Sequence, residues 1–185
     1  MIEQAPKHGV RAFLIYGLIG GPFPYGFGYS LGLDVLRDKL IAAGVDATTH
    51  VEGVFVPHTN VRALSRQAIA AAKAGSRILL LGHSMGADAA VKIAIRLGRE
   101  KLAVDLLIGL DPTKFACPRV PANVARAVCF YQKEFGDYLG RGRFSPAPDF
   151  VGECRNERVP FGHKVMDDAP ELHDRVLAEA GKLQA

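Results

Sequence analysis

Three features of the chain predict an α/β fold, a mainly parallel sheet of about six strands with helices on both faces. Short apolar runs alternate with segments of helical period along the length. Those runs carry little polarity, as strands covered on both faces do. Glycines and prolines punctuate the changes of period.

Taken in order, Ala12 to Tyr16 predicts the first buried strand. After a Gly/Pro/aromatic loop, Leu33, Leu36 and Leu40 recur at helical spacing, and Gly44 ends that helix as a residue free to adopt positive φ. Ala47 to Val51 predicts the next strand. Val61, Leu64, Ala68, Ile69 and Ala72 then share one helix face, with Thr59 and Asn60 as caps and Gly75 as the stop.

Arg77 to Leu81 predicts a strand, Met85 to Leu97 a helix, and Val104 to Leu110 another strand. Val124 to Tyr131 and a weaker run from Phe150 to Glu157 complete the sheet. Asp168 caps a last helix that buries Leu172, Val176, Leu177, Ala180 and Leu183, with Pro170 in its first turn. Connections are short, so no large cap domain is expected.

A chain of 185 residues, 49% hydrophobic, fills one core but hardly two. A single domain over 1–185 is therefore expected, with residues 1–9 flexible or peripheral. No apolar run approaches the about 18 residues of a membrane span, and residues 1–7 lack a signal-peptide core, so a cytoplasmic location is the default. Cys117, Cys129 and Cys154 are odd in number and lack metal-ligand spacing, which argues for small core residues rather than disulfides or zinc. The net charge of +4 is scattered, with no basic stripe interleaved with aromatics, so nucleic acid is not an expected partner.

The informative stretch is Arg77-Ile-Leu-Leu-Leu-Gly-His-Ser-Met-Gly-Ala-Asp-Ala-Ala-Val91, in which Gly82-x-Ser84-x-Gly86 joins an apolar strand to an amphipathic helix. A serine in such a turn is held in strained geometry that lifts its hydroxyl above the sheet, and the flanking glycines remove side chains that would collide. The following helix aims its first N–H groups at the same spot, with Met85 N–H the natural donor to an oxyanion. An idle serine in an ordinary strand-to-helix turn is the alternative.

Through GHSMG, and more loosely through the order of strands and helices, the chain resembles the α/β-hydrolase family. That resemblance implies a nucleophile, acid, histidine order and a second oxyanion donor from the loop Tyr16-Gly-Leu-Ile-Gly-Gly21. Leu18 N–H is assigned that role, with Ile19 N–H as the alternative, although no HGGG stands there and Gly17, Gly20 and Gly21 also read as a flexible turn.

A serine hydroxyl needs an imidazole to take its proton. Of the six histidines, His163 lies between the last strand and last helix, where the resemblance places the base. His83 is expected to point away from the turn. His173 is expected to be an exposed partner of Asp174 or Glu171, His50 and His58 to serve polar surface or loop capping ahead of the alternative that they line the site, and His8 to lie near a mobile end.

Asp111 is the expected acid, because it follows a buried strand at the end where functional groups of open parallel sheets collect, and Pro112 turns the chain away. Gly109-Leu-Asp-Pro112 also resembles the acid segment of pancreatic-type lipases and some thioesterase domains. Other members place the acid one strand later, which here points to Asp137 or Glu134. Asp88 is expected to be structural.

Together these residues imply a serine hydrolase acting on an ester or thioester through an acyl-Ser84 intermediate, with no metal or organic cofactor. Ile19, Pro22, Phe23, Pro24, Tyr25, Phe27 and Tyr29 offer an apolar rim for an acyl chain, or simple core packing. The alternatives are an acyltransferase with the same triad and a catalytically silent module of the same fold.

Overall fold

A computed structural model describes residues 9–17, 31–51, 57–114, 117–132 and 142–184. The elements run β1 (Val10–Tyr16), α1 (Gly32–Ala42), β2 (Asp46–Val51), α2 (Pro57–Lys73), β3 (Arg77–His83), α3 (Met85–Arg99), β4 (Leu106–Leu110), β5 (Arg126–Tyr131), β6 (Glu153–Arg158) and α4 (Pro170–Gly181). A single turn of 3₁₀-helix, His163–Val165, lies between β6 and α4.

The six strands form one sheet in the order β2-β1-β3-β4-β5-β6, and every pairing is parallel. Alternation along each strand divides the core between two faces. Leu14, Leu79, Leu81, Ile108 and Val128 pack with Leu33, Leu36 and Leu40 of α1 and with Leu172 and Val176 of α4. Phe13, Ile15, Leu80 and Leu107 pack with Leu64 and Ala68 of α2 and with Ile93 and Leu97 of α3. Each fully buried leucine contributes about 1.5–3 kcal/mol relative to exposure, so β3, with Leu79, Leu80 and Leu81 all inaccessible, anchors both layers.

Chain direction positions the site. From β1 the chain crosses through α1 to β2 on one side, whereas from β3 it crosses through α3 to β4 on the other, over the opposite face. The carboxyl ends of β1 and β3 therefore flank a topological switch point, where open α/β sheets leave a crevice.

Two capping expectations are corrected. The last helix starts at Pro170 with Ala169 as its N-cap and no side-chain cap, so Asp168 does not cap it. Pro170 at the first helical position needs no N–H partner and starts the helix unaided. Helix α2 begins at Pro57, for the same reason, which puts Thr59 and Asn60 inside it. Gly44 and Gly75 adopt the positive φ expected of helix-ending residues.

The weak run near the C-terminus proves to be an edge strand, β6, whose sequence Glu-Cys-Arg-Asn-Glu-Arg is mostly exposed. Arg155 pairs with Glu157 and with Glu179 of α4, each at 2.8 Å. Charges on an edge discourage pairing with another chain, and they also erase the apolar signature of a strand. The three cysteines are free thiols: Cys129 is buried, and Cys117 and Cys154 are half-buried against the same face of the core. Among the described residues, no helix is long and apolar enough to cross a membrane.

Candidate active site

Ser84 stands in the one-residue turn between β3 and α3, with φ 55° and ψ −124°, a conformation that L-residues rarely adopt. Such strain, about 1–3 kcal/mol, persists only where the surroundings over-determine it. The surroundings here are backbone. A Cβ on Gly82 would lie 2.2 Å from Gly86 C and O, and one on Gly86 would lie 2.1 Å from Ile15 O. The two glycines let β3, the start of α3 and the end of β1 meet at van der Waals contact.

Gly17, the first residue after β1, is equally crowded: a Cβ there would approach Ser84 Cβ to 2.9 Å and Ser84 Oγ to 3.5 Å. The loop that follows β1 thus starts directly beside the serine hydroxyl. Met85 is the first residue of α3, and its amide belongs to the unpaired first turn of that helix. Leu18 and Ile19, and the aromatic and proline residues proposed as an apolar rim, lie outside the described residues.

Asp111 follows β4, fully buried, with φ 46°. Its amide donates to Phe130 O at 2.7 Å, and its Oδ1 accepts the Gln132 amide at 3.3 Å. Its Oδ2 lies 2.7 Å from Nδ1 of His163. Since the carboxylate accepts, Nδ1 carries the proton, and in the neutral ring Nε2 is left as the basic nitrogen. His163 is buried, with 8% exposure, in the 3₁₀ turn before α4. Glu134 and Asp137, the alternative acids, lie outside the described residues.

The histidine next to the serine differs from expectation. His83 does not point away from the site: its ring is 4.8 Å from that of His163, and its Nε2 lies 2.9 Å from His163 O. Its Nδ1 is 3.7 Å from Oδ1 of Asp167, itself fully buried. As the last residue of β3, with Gly82 facing α3, its side chain turns to the opposite face, where the histidine loop packs. His173 is likewise not an exposed partner of its helix neighbours. It is buried, with Nε2 2.6 Å from Asp167 O, and burial, partly offset by that hydrogen bond, lowers its pKa.

Asp88 supports the site from below. Its carboxylate accepts the Thr113 amide at 3.2 Å and the Thr113 hydroxyl, tying α3 to the turn that leaves Asp111. Burial raises its pKa against these hydrogen bonds. His50 sits on β2 against Phe13, ring centroids 5.9 Å apart, with Nε2 2.8 Å from Thr48 Oγ1. Burial, helped by Arg11, pushes its pKa down to about 4. His58 falls within α2, and His8 lies outside the described residues.

Gln132 and Asp167 carry no motif in the sequence. Gln132 follows β5 almost inaccessible, and among the described residues neither polar atom of its side-chain amide has a hydrogen-bond partner, although its backbone N–H does. Among the described residues, no three His, Cys, Asp or Glu side chains are grouped to hold a metal ion.

No protein-family model matches the chain, and no curated protein matches it in sequence. Solved structures do match its fold. A putative hydrolase of the alpha/beta superfamily from Xanthomonas campestris pv. campestris superposes with a TM-score of 0.61 at 18% identity, covering 94% of this chain and 98% of that one. The RedJ thioesterase of the prodiginine biosynthetic pathway of Streptomyces coelicolor gives 0.58 at 14% identity, over 95% and 91%. Human thioesterase 2 gives 0.55 at 14% identity, over 95% and 98%. The chain has the α/β-hydrolase fold, in a small form.

Proposed function

We propose that the protein is a serine hydrolase that cleaves a carboxylic ester or thioester. Ser84 is the nucleophile, His163 the general base and acid, and Asp111 the residue that orients the imidazole. The observation that carries this reading is the buried His163–Asp111 pair, whose aspartate follows the strand next to the one that ends at Ser84, a serine held at φ 55°.

In the first step Nε2 of His163 takes the Ser84 proton as Oγ attacks the acyl carbon, and the carbonyl oxygen becomes an oxyanion. Met85 N–H at the start of α3 donates to that oxygen, joined by Leu18 N–H from the loop after β1. Collapse of the tetrahedral intermediate expels the alcohol or thiol, which receives the proton from the imidazolium. Water, deprotonated by the same Nε2, then attacks the acyl-serine, and the imidazolium returns that proton to Ser84 Oγ as the acid leaves. Asp111 keeps the proton on Nδ1 throughout, so Nε2 faces the reaction in its basic form. The thioesterases among proteins of the same fold support including thioesters in the substrate class.

A fluorophosphonate probe tests the reading. It should modify Ser84 in the intact protein, and Ser84→Ala should abolish both labelling and hydrolysis of p-nitrophenyl butyrate. Undiminished hydrolysis by Ser84→Ala would overturn the assignment.

A further inference from the structure

The segment that carries His163 has little structure of its own. Between β6 and α4 its internal backbone hydrogen bonds are Val165 N–H to Gly162 O at 3.2 Å, Asp168 N–H to Val165 O at 3.2 Å and Ala169 N–H to Met166 O at 3.4 Å, all at or beyond the long end of the normal range. Its position therefore depends on ties from neighbouring elements. At the far end, His173 of α4 holds Asp167 O, and the first residue of α1 backs the same peptide so closely that a Cβ on Gly32 would lie 2.1 Å from Asp167 O. At the near end, Val159 N–H donates to Tyr131 O at 2.9 Å, and the tie to His163 itself is made by the residue that precedes the serine.

We infer that His83 is a positioning residue that fixes the backbone of the catalytic histidine. A carbonyl oxygen only accepts, so His83 donates its Nε2–H to His163 O at 2.9 Å. His163 is then held twice, its ring through Nδ1 by Asp111 and its main chain by His83. One tether alone would leave the ring free to swing about the Nδ1 bond; two fix where Nε2 stands.

The second tether starts at the last residue of β3, so the serine turn and the base are joined by a single covalent neighbour. On its other side, His83 Nδ1 lies 3.7 Å from Asp167 Oδ1, too long for a direct hydrogen bond. The four groups are all buried, so exchange with water does not compete for these contacts. This inference rests on the hydrolase reading above.

Its test compares His83→Leu, His83→Gln and His83→Asn with the wild type, by kcat and KM on p-nitrophenyl butyrate, fluorophosphonate labelling and thermal melting. His83→Leu fills the space without a donor, and its kcat should fall on the order of 10²-fold with KM nearly unchanged, as expected when a reacting group is misplaced by about 1 Å. Glutamine carries an N–H donor at about the reach of Nε2 and should recover most of the rate. Asparagine is too short and should behave as leucine does.

Wild-type kcat in His83→Leu or His83→Asn overturns the inference, as does a glutamine variant no better than asparagine. If His83→Leu fails to fold, the glutamine and asparagine pair decides. A wild type that neither labels nor hydrolyses overturns the hydrolase reading and this one with it; a labelled wild type matched by an undiminished His83→Asn overturns this one alone.

Discussion

Ser84 and Asp111 stand side by side, each one residue beyond the end of adjacent parallel strands and each at positive φ, 55° and 46°. Each also donates its amide sideways across the sheet, Ser84 to Leu110 O at 2.8 Å and Asp111 to Phe130 O at 2.7 Å. The ladder thus continues one residue past the strands, and the chain departs from it at both places by a left-handed residue. Strain at two neighbouring positions, neither of them glycine, is tolerated because the ladder and the packed glycines fix the backbone on every side. It sets both residues at the carboxyl end of the sheet, where Asp111 meets His163.

Strain at Ser84 predicts a trade between stability and activity. Ser84→Gly removes the Cβ that makes φ 55°, ψ −124° unfavourable, whereas Ser84→Ala retains it. Relief of about 1–3 kcal/mol is partly offset by the added freedom of glycine in the unfolded chain, leaving Ser84→Gly more stable than Ser84→Ala by about 1 kcal/mol. Both should be inactive. Equal denaturant midpoints for the two would show that the turn is not strained.

The Asp111 carboxylate predicts a second outcome. Asp111→Asn keeps size and shape but offers His163 Nδ1 an amide, which favours the wrong tautomer. Turnover of p-nitrophenyl butyrate should fall by on the order of 10³–10⁴-fold, as when the acid of a serine-protease triad is amidated. Circular dichroism should remain that of the wild type. A loss below about 10-fold would instead direct attention to Glu134 or Asp137 as the acid.

What could be read in the sequence follows from how local each signal is. Leu79, Leu80 and Leu81 make β3 legible because a strand covered on both faces must be apolar throughout. Gly82, Ser84 and Gly86 are legible because the steric demand of the turn falls within five consecutive residues. The edge strand β6 shows weakly, since its exposed charges serve solvent and α4 rather than a core. The burial of His83 and His173 is hidden for a related reason: what buries them is the loop around Asp167, remote in sequence from His83, and no local period announces it. Gln132 is invisible altogether, because an amide at the end of a strand reads as a turn.

Close approach at the base of the serine turn predicts that Gly86→Ala is severe. Its Cβ would meet Ile15 O at 2.1 Å and Tyr16 O at 2.6 Å, both backbone atoms of the central strand β1 that cannot swing aside. The start of α3 must move away from β1, at a cost at or above the upper end of the 1–3 kcal/mol usual for overpacking. A clear drop in Tm, with loss of fluorophosphonate labelling in the protein that still folds, is the expected outcome. Wild-type Tm would mean that α3 is free to shift.

Acid sensitivity has a source away from the candidate site. His50 has its pKa depressed from 6.5 to about 4, chiefly by burial and further by Arg11, so between these values the unfolded chain binds a proton that the folded chain does not. Stability rises with pH wherever the unfolded state holds more protons. The contribution of a neutral His50 is therefore complete above pH 6.5 and is lost progressively as pH falls from 6.5 towards 4. His173, whose pKa is also lowered chiefly by burial, acts in the same sense. His50→Gln removes the titrating ring, so its Tm should fall less steeply than that of the wild type between pH 6.5 and 4, whatever its absolute value at neutral pH. Parallel Tm profiles for the two proteins across that range would show that His50 titrates alike in the folded and unfolded states.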